Sequence, residues 1–302
     1  MNIGMNRLPL EKRIQIVRCL VEGNSIRGTA RLCDVVKNSV INLLCDVGEA
    51  CFAYQDATLI KLNGRRWQLD EIWSFVGAKQ KNVPAQRKGQ AGDVWTWVAL
   101  DADSKLVGSF YVGGRDSGAA MAIAIADDLA KRLTNRVQIT TDGHRAYLEA
   151  IEGAFDGDVD YAQLVKLYGE APEASKGKYS PAECIGARKE RIEGNPNMAH
   201  VSTSFVERQN RTMRMGMWRF TRLTDAFSKK IENHAFAVAL HFMYYNFCRV
   251  HQTLRITPAM AAGITKSIMD VADIVRIADE YWTIKTPPKP RGPYKKRAEI
   301  SK

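Results

Sequence analysis

The chain has 302 residues, 45% of them hydrophobic, and carries 44 Lys and Arg against 33 Asp and Glu, a formal charge of +11. That length accommodates about two domains with a sizeable core, and the cationic balance favours nucleic acid or another anionic surface as partner. Six cysteines show no CxxC pair and no histidine at zinc-finger spacing, so they read as reduced thiols of a cytosolic protein rather than a disulfide scaffold. There is no signal-peptide pattern, no internal repeat, and no apolar run long enough to cross a bilayer; the longest is near 235–247.

Pro9 opens a helix to about Glu22, with Ile14, Val17 and Val21 on one face, and Gly23-Asn24 ends it. Ser25 stands where an N-cap belongs, before a short helix over 26–33. A turn at 34–36 leads to a third helix over about 37–51. Two helices, a tight turn and a third helix make a helix-turn-helix candidate. In that geometry Lys37, Asn38, Ser39 and Asn42 read bases, and Arg27 and Arg31 lie near phosphates. The plain alternative is a three-helix cap with solvated charges.

The segment 65–76, Arg-Arg-Trp-Gln-Leu-Asp-Glu-Ile-Trp-Ser-Phe-Val, reads as a strand. Asp70 and Glu71 stand side by side in it, and ionised carboxylates are seldom buried without a partner or a metal. Alternation lets at most one of them face a given site. A structural reading has one of them capping a loop or pairing with Arg65 or Arg66. A basic loop follows, with Lys79, Lys81, Arg87 and Lys88, then strands over 93–100 and 106–112 that complete a meander. Asp101 and Asp103 are turn residues. Asp116 or Ser117 caps an Ala-rich helix to about Arg132. A strand over 137–141 ends in Asp142-Gly143-His144, a helix spans about 145–152, and a strand spans 159–167. Three strands, helix, strand, helix, strand describe a mixed sheet with helices on both faces. Asp142 ends a strand, where open α/β sheets place ligand sites; it equally suits the cap of the next helix. The stretch 169–197, rich in Gly, Pro, Lys and Glu, reads as a long irregular insertion.

Further on, Ser204 and Glu207 have the spacing of a capping box. The face that carries Glu207 continues through Arg211 and Arg214. A helix is expected over about 229–250, with His241 as a core histidine, and Arg249 and His251 follow it. An amphipathic helix over about 268–282 precedes a basic, proline-rich tail. Arg291 in that tail suits a minor groove, although a basic tail binds any polyanion.

On these residues the chain resembles DDE transposases of the retroviral-integrase-like, ribonuclease H-fold superfamily, and most nearly the insertion-sequence transposases of the IS1 family. The resemblance is carried by Leu69-Asp70-Glu71-Ile72-Trp73, by Thr141-Asp142-Gly143-His144 and by Ser204-Phe205-Val206-Glu207-Arg208-Gln209-Asn210. Arg214 and the Tyr245-Asn246, Arg249, His251, Leu254 and Thr257-Pro258 run add to it. It implies a mixed α/β, ribonuclease H-like five-stranded sheet with flanking helices over 59–262, interrupted by the insertion 169–197. Before it stands an all-α helix-turn-helix domain over 1–58, and after it a C-terminal helix and tail over 263–302.

The resemblance also implies Asp70, Asp142 and Glu207 as the catalytic, metal-binding triad. Two Mg²⁺ ions, for which Mn²⁺ can substitute, would clamp an in-line displacement. Asp70 would bridge them, and Arg211 and Arg214 would hold phosphates. The implied activity is cleavage and strand transfer of an insertion sequence, by a homo-oligomer bound to transposon ends and target DNA. The implied setting is the bacterial cytoplasm at the nucleoid, with no membrane partner. Two departures stand out: Glu207 follows Asp142 at a greater distance than in compact members, and the zinc finger of some relatives is missing. A ribonuclease H-like nuclease that only hydrolyses, or a domesticated non-catalytic DNA-binding regulator, fits the same outline.

Overall fold

A computed structural model of the chain describes residues 7–114, 118–169, 184–221 and 225–286. Arg291 and the basic tail, and the capping positions Asp116 and Ser117, lie outside the described residues. The centre of the fold is a six-stranded sheet in the order β3-β2-β1-β4-β5-β6. Its strands are β1 (Arg66–Val76), β2 (Gly92–Asp101), β3 (Val107–Gly114), β4 (Val137–Asp142), β5 (Val159–Tyr168) and β6 (Cys184–Glu193). The first three form an antiparallel meander; β4 lies parallel to β1, β5 lies parallel to β4, and β6 returns antiparallel to β5. This is the mixed α/β, ribonuclease H-like arrangement that the resemblance implied, with one strand more than expected.

The additional strand corrects the reading of 169–197 as wholly irregular. Of β6, Cys184, Ile185, Arg188 and Lys189 are all exposed. A strand exposed on both faces lacks the alternation by which buried strands are recognised; its strand character comes from the ladder with β5.

Nine helices pack around the sheet among the described residues: α1 (Leu10–Val21), α2 (Ile26–Leu32), α3 (Lys37–Thr58), α4 (Gly118–Arg132), α5 (Ala146–Phe155), α6 (Ser204–Gly216), α7 (Ile231–Met243), α8 (Pro258–Ala261) and α9 (Val271–Lys285). Alternation along β1 and β2 sorts them into two layers. Trp97 of β2 stacks edge-on against Tyr147 of α5, and Ser109 of β3 donates to Asp128 of α4 at 2.5 Å, so α4 and α5 cover one face. On the other face Phe110 of β3 meets Phe242 of α7, and Ser74 of β1 is hydrogen-bonded to His234 of α7.

Helix α3 is longer than the 37–51 expected. Its second half lies along α7, where Gly48 comes so close that a β-carbon would sit 2.5 Å from both Cβ and the carbonyl oxygen of Phe236. A helix apolar on that scale is held by burial rather than by a stop signal. Gln55 extends the contact by donating to the Ala239 carbonyl at 3.0 Å. From the far end of the chain, α9 closes over α1 and α3. Trp282 Nε1 donates to the Asp46 carbonyl and Tyr281 to Glu49, each at 3.0 Å, and Arg13 pairs with Asp279. The three N-terminal helices therefore share one continuous core with the sheet.

The expected 229–250 helix is α7 followed by a single π turn, Tyr244–Cys248. That turn aims Asn246 at the sheet edge, where it accepts from Val107 N–H at 3.1 Å and donates to the Val107 carbonyl at 2.9 Å. Tyr245 donates to the Lys105 carbonyl, and Thr257 caps α8 by accepting from Met260 N–H. In the 245–258 run, then, Tyr245, Asn246 and Thr257 hold the scaffold together. No described helix is long and apolar enough to cross a membrane.

Candidate active site

The parallel pairing of β1 with β4 ends at Leu69 opposite Thr141. One residue further on, Asp70 and Asp142 face each other where the strands part. Glu71 joins them: Asp70, Glu71 and Asp142 each offer a carboxylate oxygen, and these oxygens all lie within 4.8 Å of one another. Strand alternation does send Asp70 toward the α6 face and Glu71 toward the α5 face, as the sequence suggested. Both still reach Asp142, because beyond Leu69 the β4 side of β1 has no paired strand to separate the two faces, while β2 continues along the other side. The expectation that only one of the pair could serve a site is thus corrected, and neither pairs with Arg65 or Arg66. Arg66 is engaged with Asp103 instead.

Each acid is held from its own side. Asn210 of α6 donates to Asp70 Oδ2 at 2.8 Å, while the buried Asn210 Oδ1 has no hydrogen-bond partner. The fully buried Tyr147 hydroxyl donates to Glu71 Oε2 at 3.1 Å. Asp142 Oδ1 accepts the backbone N–H of His144 at 3.0 Å. Burial, then the charge of Asp142, pushes the Asp70 carboxyl up to about 7; Glu207 adds to the shift, and the Asn210 contact offsets part of it. Burial, then the charges of Asp142 and Asp70, pushes Glu71 up to about 8. Such clustering costs free energy unless protons or a cation neutralise it.

Glu207 stands apart from the group of three. It lies on α6 one turn before Asn210, and its Oε1 accepts from Lys166 of β5 at 2.7 Å and from Thr203 Oγ1 at 2.5 Å. The capping box expected of Ser204 and Glu207 does not form. Thr203 is the N-cap, and the N–H groups of Phe205 and Val206 are taken by Gln68 Oε1, at 2.9 and 3.0 Å. Glu207 is thereby left to face the sheet.

Cations surround this end of the molecule. Arg208, Arg211 and Arg214 lie on the exposed side of α6, beside the exposed Met215 and Trp218. Arg249 is exposed and His251 half-buried. Burial, and after it the nearby charges of Lys105, Arg208 and Arg249, holds the His251 pKa below the ordinary imidazole value. His241 is buried, its pKa lowered to about 4 chiefly by desolvation, as suits a core histidine.

At the N-terminus, α2 is capped by Ser25, which accepts from Gly28 N–H at 3.0 Å. Lys37, Asn38 and Asn42 are exposed at the start of α3 with Ser39 half-buried, and Arg27 and Arg31 are exposed on α2.

No protein-family model matches the chain, and no curated protein does. Among solved structures, the chain has limited likeness to a simian T-cell lymphotropic virus intasome in complex with PP2A regulatory subunit B56 gamma. The identity there is 17%, covering 80% of this chain and 71% of that one, with a TM-score of 0.36. A piggyBac transposase synaptic complex with hairpin DNA overlaps 98% of this chain and 76% of that one, at 12% identity and a TM-score of 0.38. A Mos1 transposase paired-end complex overlaps 53% and 61%, at 16% identity and a TM-score of 0.22. At scores below 0.5, the functional reading rests on the chain's own carboxylates and cations.

Proposed function

We propose that this chain is a DNA transposase of the DDE type, which cleaves DNA strands and transfers them in a reaction dependent on a divalent cation. The observation that carries the reading is the convergence of Asp70, Glu71 and Asp142 at the point where β1 and β4 part. Three hard carboxylate donors suit Mg²⁺ or Mn²⁺. The raised pKa values of Asp70 and Glu71 and the partnerless Asn210 Oδ1 mark a site whose charge and hydrogen bonding are completed by a bound ion and its waters. Asp70, Glu71 and Asp142 would hold the first ion, and Glu207 would help complete a second. A pair of such ions supplies an activated water and stabilises the leaving oxygen of an in-line displacement.

The chain's own side chains do the rest. Asn210 and Tyr147 fix the orientation of Asp70 and Glu71. Arg211 and Arg214 hold non-reacting phosphates, which fits their place on the exposed side of the helix that carries Glu207. Arg249 and His251 extend the cationic surface, and α2 and α3 bind the transposon ends through the residues named above. Joining two ends to a target requires a dimer or a larger homo-oligomer.

The test uses labelled duplexes carrying candidate terminal repeats and a target duplex, with Mg²⁺. Cleaved and joined products are expected, and both should vanish in Asp70→Asn and Asp142→Asn proteins and on chelation. Cleavage without joining identifies a hydrolytic nuclease instead. Sequence-specific binding with no metal dependence and no cleavage identifies a regulator.

A further inference from the structure

The acids of the site fall into two sets with different partners. Asp70, Glu71 and Asp142 lie within reach of one ion, and their protein partners are neutral donors: Asn210, Tyr147 and a backbone N–H. Glu207 is held by a cation, Lys166, in an ion pair of 2.7 Å with side chains 33% and 38% exposed. Lys166 stands two residues beyond Leu164, the register partner of Asp142, so it lies on the same face of the sheet as Asp142. An ammonium at this place opposes a second divalent cation in two ways: it occupies a ligand oxygen and it adds positive charge. A half-exposed lysine beside a cationic helix face is also a ready partner for a phosphate.

Resting on the function proposed above, we infer that Lys166 is a phosphate-sensitive latch. Without DNA it holds Glu207 away from metal, and a DNA phosphate draws the ammonium off, releasing Glu207 to complete the second metal position. Lys166 is therefore a positioning residue acting through Glu207. The arrangement would confine full metal loading, and with it nuclease competence, to the DNA-bound protein. Thr203, whose hydroxyl donates to the same Glu207 oxygen, keeps the carboxylate oriented in either state.

The test reads metal binding directly, by calorimetry and by the electron paramagnetic resonance of free Mn²⁺, on the full chain. Without DNA, Lys166→Met should bind Mn²⁺ more tightly than wild type, on the order of tenfold. Lys166→Arg, which keeps the charge, should behave as wild type. A short DNA duplex should give wild type the same gain and give Lys166→Met little more, whereas an uncharged peptide nucleic acid duplex should give neither protein any gain.

Removing a nearby cation favours a divalent ion even without a latch, so the double variant Lys166→Met with Glu207→Gln decides the point. If Glu207 is the released ligand, the gain of Lys166→Met disappears in the double variant. The inference is overturned if the gain persists there, or if Glu207→Gln alone weakens Mn²⁺ binding in the absence of DNA. If wild type takes up no Mn²⁺ and Asp70→Asn changes nothing, the proposed function falls with it. Retained cleavage and joining without these Lys166 effects removes the latch alone.

Discussion

The side-chain oxygen of Gln68, on β1, accepts the backbone N–H of Phe205, at the start of α6, at 2.9 Å. It also takes the N–H of Val206, so a buried strand residue does the work that a capping side chain does on an exposed helix. This junction fixes where α6 begins relative to β1, and so where Glu207 and Asn210 stand relative to Asp70. Gln68→Leu removes the acceptor and leaves two helix N–H groups without their partner, that of Val206 buried and that of Phe205 partly so. A loss of about 1–3 kcal/mol is expected by denaturant titration, together with a fall in metal-dependent cleavage larger than the fall in DNA affinity. Equal losses of cleavage and DNA affinity would show that the junction does not position the acids.

Glu71 separates the structural account from the motif-based one. A triad of Asp70, Asp142 and Glu207 assigns Glu71 no role, whereas the geometry puts its carboxylate in the metal-capable group. Glu71→Gln preserves shape and the Tyr147 contact while removing charge. Mn²⁺ affinity in the DNA-free protein is expected to fall about 10–100-fold, and Glu207→Gln to leave it unchanged. The reverse ranking, measured by calorimetry, would return Glu71 to a structural role.

The raised carboxyls also set a pH dependence. Between about pH 4 and about pH 8 the unfolded chain has released protons that folded Asp70 and Glu71 retain. The unfolded state then binds fewer protons, so the metal-free protein loses stability as pH rises through this window. His234 and His241 work in the opposite direction. Burial lowers their pKa values to about 3 and about 4, so stability falls as pH drops below the unfolded imidazole value of about 6.5. Between about pH 7 and pH 8 the carboxyls are the main contributors, because unfolded imidazole is largely neutral above about 6.5, and the thiols of Cys45, Cys51 and Cys248, raised by burial, add to the decline chiefly near the free thiol value of about 8.5. With a chelator present, the melting temperature should decline over that range, and Asp70→Asn or Glu71→Gln should flatten the decline. Saturating Mg²⁺ should abolish it, since the ion binds the deprotonated form. A flat profile in the chelated wild type would contradict the clustering.

Much of this architecture was legible from residue order. The aromatic and branched residues of 65–76 mark β1, Ser25 marks the start of α2, and Asp142 falls at the end of its strand. What escaped depended on partners distant in sequence. Strand β6 has no buried face of its own to advertise it. The length of α3 is set by α7, nearly two hundred residues on. The end of Glu207's helix was read as a local capping box, when its true acceptor is Gln68. Alternation puts Asp70 and Glu71 on opposite faces, a rule that holds within a sheet and lapses on the side where β4 ends; two adjacent acids in the middle of a buried strand are the available signal.

The helix-turn-helix candidate makes the last prediction. Its three helices are held against the sheet and its helices through α7 and α9, so the start of α3 is presented at a fixed place relative to the carboxylates. A rigid reader ties the register of binding to the position of cleavage. The exposed Asn42 is suited to a base edge and the exposed Arg31 to a phosphate. Asn42→Ala is expected to cost about 1–3 kcal/mol for the specific duplex and little for a scrambled one. Arg31→Ala should weaken both alike and reduce the salt slope by about one ion. Fluorescence anisotropy across a salt series with both duplexes distinguishes the two effects. If neither substitution changes either affinity, this end of the molecule is not the reader, and end recognition passes to the cations of α6 and the surface around Arg249.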